Sequence, residues 1–296
     1  MTCAPVGDAV VVAAPAADRH HSGMATRVSQ ALPRDLRYER TPKRVRAVLA
    51  GETLADSTAA LLVWEPRRAV PAYAFPEADV RRDLLRASEH PVPGAHGAGA
   101  VFLTASATGA LAENAAWRYA DPDLAGHVAF SWEAMDHWYE EDEEVFGHPR
   151  DPWHRVDARR SARHVRVEIG GEAVADSGRP TIVFETGLPT RYYLPRADVA
   201  MDRLEATDTR TICAYKGFAS YWSVGEERDV AWTYEEPFPD APPIAGLVCF
   251  LNERTDMTVD GAPVERPTTQ WSAGIRSAPR GGGSGARQGP HEASDT

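Results

Sequence analysis

Apolar and polar residues alternate at positions 165–169, where Arg166 and Glu168 separate Val165, Val167 and Ile169. A period of two is the pattern of a half-buried strand. Gly170 and Gly171 follow, two residues that accept the positive φ of a tight hairpin, and positions 172–176 supply the return strand. Residues 181–185 are β-branched or aromatic over most of their length and predict a buried strand. Val230, Trp232 and Tyr234 share one face of another strand, the apolar run 244–251 makes the next, and Asp260-Gly261 centres a last hairpin over 257–265. Positions 197–204, with apolar Val199 and Leu204 and with Asp198 near the start, predict a short helix.

The same pattern occurs twice. Residues 44–57 run parallel to 164–177, ending in Ala55-Asp56-Ser57 and Ala175-Asp176-Ser177. The register continues through Val63-Trp64-Glu65 and Val183-Phe184-Glu185, then Tyr73 to Pro76 and Tyr192 to Pro195. Ala116-Trp117 with Tyr119 matches Ala231-Trp232 with Tyr234, and Phe130 matches Phe250. So many ordered matches mark a duplicated unit, mainly β in character. Between the copies, Trp132, Met135 and Tyr139 are spaced three and four apart behind Ser131, a good N-cap, which predicts an amphipathic helix with an acidic solvent face. The expected organisation is a flexible segment at 1–34, a first unit at 35–130, a helical acidic linker at 131–160, a second unit at 161–269 and a disordered tail at 270–296.

Composition narrows the function classes. The chain of 296 residues carries a formal net charge of -11, which opposes nucleic-acid binding and docking on anionic lipid. Its three cysteines are scattered, so neither a disulfide framework nor a thiolate zinc site is expected, and a reducing, cytoplasmic setting is the simplest reading. The apolar stretch 9–14 follows Asp8 without a basic flank and makes a poor signal peptide. Only Lys43 and Lys216 are lysines among 32 basic residues, which makes each informative.

The second unit carries the runs 184–195, 213–223 and 231–234, which include Gly187-Leu188-Pro189-Thr190-Arg191, Tyr215-Lys216-Gly217 and Tyr221-Trp222-Ser223. In these motifs the chain, over roughly 44–267, resembles domain-of-unknown-function family 427 in its tandem bacterial form. The resemblance implies two small β-tent (Mss4-like) domains, here without the zinc found in some relatives of that shape. It transfers no activity, although a nucleotidyltransferase-like label attaches to the family. The first unit departs from the pattern: the lysine, two tyrosines and the tryptophan are absent between Val80 and Trp117.

The candidate site gathers Glu185, Arg191, Tyr192, Tyr215, Lys216, Tyr221 and Trp222. Flat rings with a few charged groups are a common recipe for a ligand pocket. Glu185 and Lys216 are the candidate catalytic pair, as acid/base and as point charge or base. Arg191 would clamp a carboxylate or phosphate, and the four aromatic residues would bind a small polar or anionic molecule of unknown identity. The competing reading is structural, with the rings as core and Glu185 paired to Arg191 or Lys216. Cys213 lacks a histidine partner in these motifs and reads as inert. His127, His137, His148 and His154, with Asp136, Glu140 and Glu141, match no metal motif and read as a solvated acidic face. Asp121 and Asp123 are the nearest approach to a metal-binding carboxylate pair for nucleotidyl transfer, with no phosphate loop beside them. No cofactor is expected.

Overall fold

The computed structural model describes residues 33–92 and 96–274. The first unit contains β1 (Arg37–Arg40), β2 (Val45–Leu49), β3 (Glu52–Ser57), β4 (Leu61–Trp64) and β5 (Ala72–Pro76). It continues with β6 (Leu85–Ala87), β7 (Val101–Ala107), β8 (Ala110–Arg118), β9 (His127–Phe130), β10 (His137–Glu140) and β11 (Glu143–Val145). The second unit repeats the series as β12 (Val156–Arg160), β13 (Val165–Ile169), β14 (Glu172–Ser177), β15 (Thr181–Glu185) and β16 (Arg191–Leu194). Then follow β17 (Glu205–Cys213), β18 (Gly217–Val224), β19 (Glu227–Thr233), β20 (Val248–Phe250), β21 (Asp256–Val259) and β22 (Ala262–Val264).

Each unit packs a seven-stranded antiparallel sheet against a four-stranded one. The orders are β1-β4-β5-β9-β8-β7-β6 with β11-β10-β2-β3, and β12-β15-β16-β20-β19-β18-β17 with β14-β13-β21-β22. The two orders are equivalent strand for strand. Even the bulge after Ala47 in β2 recurs after Val167 in β13. Hairpin turns sit where the sequence places them: Gly170 and Gly171 have φ of 61° and 80°, and Asp260 and Gly261 have 54° and 79°.

In the first unit the two faces of the large sheet are distinct. Leu62, Trp64 and Phe75 pack inward with Val45, Ala47 and Leu54 of the small sheet. Leu61, Val63, Ala74 and Trp117 form a separate cluster on the outer face. This division is the two-residue period of a strand. In the second unit it is the outer face that carries the polar residues.

The helix expected in the linker is replaced by β10 and β11. β10 pairs with β2 from His137↔Val48 to Glu140↔Val45, and β11 folds back on it. Trp138 and Glu140 point inward and are buried, while His137 and Tyr139 are half-buried. The helical spacing of Trp132, Met135 and Tyr139 is therefore coincidental. β2 would otherwise lack a partner on that side, so the first unit runs on past Phe130. Its counterpart in the second unit was legible because Asp260-Gly261 announces the turn; here Glu141, at φ 53°, takes the same position without a glycine signal. Glu140, read as solvated, has its carboxylate bonded to the Tyr73 hydroxyl at 2.5 Å and to the Lys43 ammonium. The short helix expected at 197–204 is two separate 3-10 turns, Arg196–Asp198 and Met201–Arg203.

Residues 146–155 clasp the two units. The Trp64 indole of the first unit donates to Asp151 at 3.0 Å, and the Asp151 backbone N–H donates to the Tyr215 hydroxyl of the second at 2.8 Å. Phe146 packs on Phe218 and Phe238. Gly147, at φ 85°, lies so close to the second unit that an added Cβ would stand 3.1 Å from the Ala214 nitrogen. Residues 270–274, where the expected tail starts, form a turn with Trp271 packed against the second core, while 1–32 and 275–296 lie outside the described residues.

β12 precedes the expected start of the second unit at 161, yet it pairs with β15 along its full length, from Val156↔Glu185 to Arg160↔Thr181. A fragment starting at Ser161 exposes that edge. The fragment 147–274 should melt cooperatively by circular dichroism, and 161–269 should lose the cooperative transition. Equal melts for the two would show that β12 is dispensable.

Candidate functional site

Strand parity decides which side chains meet. On β16, Arg191 and Tyr193 point to the outer face and Tyr192 to the inner one. On β18, Tyr221 points outward and Trp222 inward. The outer residues, with Trp232, Tyr234 and the end of β15, line a cavity of about 400 Å³. The turn before β5 in the first unit, including Val70 and Pro71, closes one side, and Trp271 closes another.

Of the seven residues expected from sequence, Glu185, Arg191, Tyr215, Lys216 and Tyr221 line this cavity. Tyr192 and Trp222 do not. Both are buried in the second unit's core, and Trp222 lies under the Arg196 guanidinium at 5.4 Å. The missed wall residues include Tyr193, Trp232, Tyr234 and His154. Parity on β16 could have found Tyr193, and the shared face of Trp232 and Tyr234 was already legible. No local signal marks His154, which enters from the clasp.

Two buried ion pairs organise the charges. Glu185, whose side chain is 4% exposed, accepts from the Lys216 ammonium and from His154 Nε2 at 3.1 Å. Burial raises the Glu185 carboxyl, and the bonds from His154 and Lys216 outweigh it, holding it below the ordinary range. His154 reaches Glu185 while stacked on the Tyr215 ring, with centroids 4.3 Å apart. Arg191 does not pair with Glu185. Its two terminal nitrogens donate to the two oxygens of Glu253, each at 2.6 Å, in the bidentate geometry that suits guanidinium and carboxylate. Burial opposes the charge on Glu253, and Arg191 more than restores it, so this carboxyl too lies below its usual range.

The remaining groups are tuned mostly by burial. The Tyr215 hydroxyl is pushed up to about 12 and the Cys249 thiol likewise to about 12, both chiefly by desolvation. His148 is pushed down by the same cause, so its imidazole favours the neutral form. Cys213 is half-buried on the cavity wall. The histidines grouped by sequence have separate partners: His137 faces Glu144, His148 faces the Pro149 carbonyl, and His154 faces Glu185. Among the described residues no group of three or more His, Cys, Asp or Glu side chains is placed to hold a metal.

The first unit keeps one element of the site. Glu65, the counterpart of Glu185, is buried and accepts from His96 Nδ1 at 2.9 Å, the Tyr119 hydroxyl at 2.7 Å and Arg68 Nε at 2.8 Å. Ala72 and Ala74 stand where β16 has Arg191 and Tyr193, as the strand registers show. No helix among the described residues is long and apolar enough to cross a membrane.

No curated protein matches the chain. The profile of a family described as "Domain of unknown function (DUF427)", with a short name that points to nucleotidyl transfer, matches residues 37–141 and again 157–261. These two stretches take in all of each sheet pair but its last strand and cover well over half of the chain, which therefore belongs to the DUF427 family, in tandem form.

Proposed function

We propose that the second unit binds a small polar molecule in the cavity on the outer face of its large sheet. The observation that carries this reading is a cavity of about 400 Å³ walled by Tyr193, Tyr221, Trp232 and Tyr234, with Glu185 and Lys216 at its edge. Small-molecule sites have this size and this mix of rings and few polar groups. The internal pairing of Arg191 with Glu253 and of Lys216 with Glu185 favours a ligand of low charge over a phosphate-rich one. If the site is catalytic, Glu185 acts as proton acceptor, since its carboxyl is held ionised, and Lys216 and His154 orient it. Tyr192 and Trp222 act at most through the core beneath. Nucleotidyl transfer draws little from this arrangement: Asp123 is bonded to Tyr38 in a turn of the first unit, and Asp121 caps that turn. The free thiols of Cys213 and Cys249 fit a cytoplasmic setting, and the sheet pairs fit the β-tent shape.

The pairing of the buried cations Arg191 and Lys216 supports a second reading, a structural or interaction module. Mass spectrometry of the purified, denatured protein separates the two. A retained small molecule is expected, and Trp232→Leu should weaken its binding about tenfold or more. Phe184→Leu, at an exposed position on the opposite side of β15, should leave it unchanged. A protein that carries no small molecule, and whose melting temperature no metabolite mixture raises, would favour the structural module.

A further inference from the structure

The first unit shows what its own outer face holds. His96 lies flat on Trp117, with ring centroids 3.4 Å apart and planes at 12°, and its Nδ1 is 2.9 Å from both Glu65 oxygens. A carboxylate offers no proton, so Nδ1 is the N–H donor in that contact. An imidazole thus sits between an indole face and a buried carboxylate.

The second unit has the same indole and carboxylate with no such ring between them. Trp232 and Glu185 are the counterparts of Trp117 and Glu65: Trp232 pairs with Tyr221 across the sheet as Trp117 pairs with Phe102. The position of His96 is taken by Tyr215, which precedes Tyr221 by the interval that separates His96 from Phe102. Tyr215 is turned away toward the clasp, where its hydroxyl accepts from Asp151. Tyr193 and Tyr221 meet Trp232 only edge-on or tilted, at 89° and 36°, the Arg191 guanidinium stands 5.5 Å from its ring centroid, and among the described residues no ring stacks parallel on it. His154 reaches Glu185 from the side of Tyr215, not over Trp232.

Acceptor capacity differs in the same direction. Glu65 takes three donors, from His96, Tyr119 and Arg68. Glu185 takes two, from His154 and Lys216, although a carboxylate has about four lone-pair sites. Tyr234, the counterpart of Tyr119, lines the cavity, and its hydroxyl makes no hydrogen bond to another described residue.

Resting on the cavity reading above, we infer that the ligand carries a planar nitrogen heterocycle, stacked on Trp232 with a ring N–H donated to Glu185. The first unit has internalised that contact as His96, and the second leaves it to a diffusible molecule. Stacking supplies sequence-independent affinity for any flat ring, and the carboxylate selects rings that carry an N–H.

The test compares size-matched probes on the full-length wild-type protein, by titration followed on the assigned Trp232 indole N–H signal. 5-Methylbenzimidazole offers a ring N–H; 1-methylbenzimidazole does not, and 5-methylindene has no nitrogen. The first should bind about tenfold or more tighter than either of the others, the difference expected for one hydrogen bond to a charged group. Equal affinities, or no response at Trp232, would overturn the inference. If the co-purifying molecule occupies the cavity and 5-methylbenzimidazole does not compete with it, the inference falls and the cavity reading stands. If neither binds, both fall.

Discussion

Replacing Arg191 by Gln should lower the unfolding free energy by about 3–5 kcal/mol at neutral pH, measured by urea denaturation. The Glu253 side chain is 0% exposed and Arg191 is 7% exposed, so the substitution leaves a carboxylate in the interior with no cation. The Thr269 hydroxyl, at 2.7 Å from Glu253, remains but brings no charge. In the wild type the Glu253 carboxyl titrates lower folded than unfolded. Its contribution is therefore complete above the unfolded value, near 4.3, and is lost as pH falls through the lower folded one. In the variant the buried carboxyl keeps only the Thr269 hydroxyl and its own backbone N–H against desolvation, with no cation, which favours its protonation. The gap between the two proteins should be widest near neutrality and narrow in acid. Adding Glu253→Gln should recover much of the loss, because replacing both partners removes the unpaired charge. A loss under about 1 kcal/mol would mean that Glu253 reaches solvent.

Lys216→Met tests the other pair and has a different signature. Lys216 and Glu185 are 8% and 4% exposed, so at neutral pH the loss should again approach about 3–5 kcal/mol. Here Glu185 keeps a second donor in His154, at 3.1 Å. Removing that donor as well should deepen the loss: the double variant Lys216→Met, His154→Phe should be less stable than Lys216→Met alone, because the buried carboxylate then keeps neither partner. Equal stability of the single and double variants would show that His154 does not share the load.

Lys43 and Lys216 turn out to share a role. Each places its ammonium on a buried glutamate, Lys43 on Glu140 and Lys216 on Glu185, although Lys43 itself is 44% exposed and Lys216 only 8%. Lysine presents a compact charge on a long flexible stem, which suits reaching a single carboxylate from the side. Arg191, by contrast, uses its planar fork on both oxygens of Glu253.

Alternation and turn chemistry are local, and so they were legible. The hairpins at Gly170-Gly171 and Asp260-Gly261 follow from backbone preference alone, and β15 follows from a run of β-branched and aromatic residues. The duplication is legible for the same reason, since it compares the chain with itself. What pairs with what is not local. Arg191 meets Glu253, 62 positions away, because β20 lies beside β16 and delivers the following turn to its end. Lys216 meets Glu185 and His154 because three different segments converge at one end of β15. β10 is a strand because β2 has a vacant edge, and Glu140 is tolerated inside because Lys43 and Tyr73 are already there. Hydrophobic period and glycine position thus determined the units and most of their strands, while the partners of each charge came from cross-strand register and sheet closure, which no short window of residues encodes.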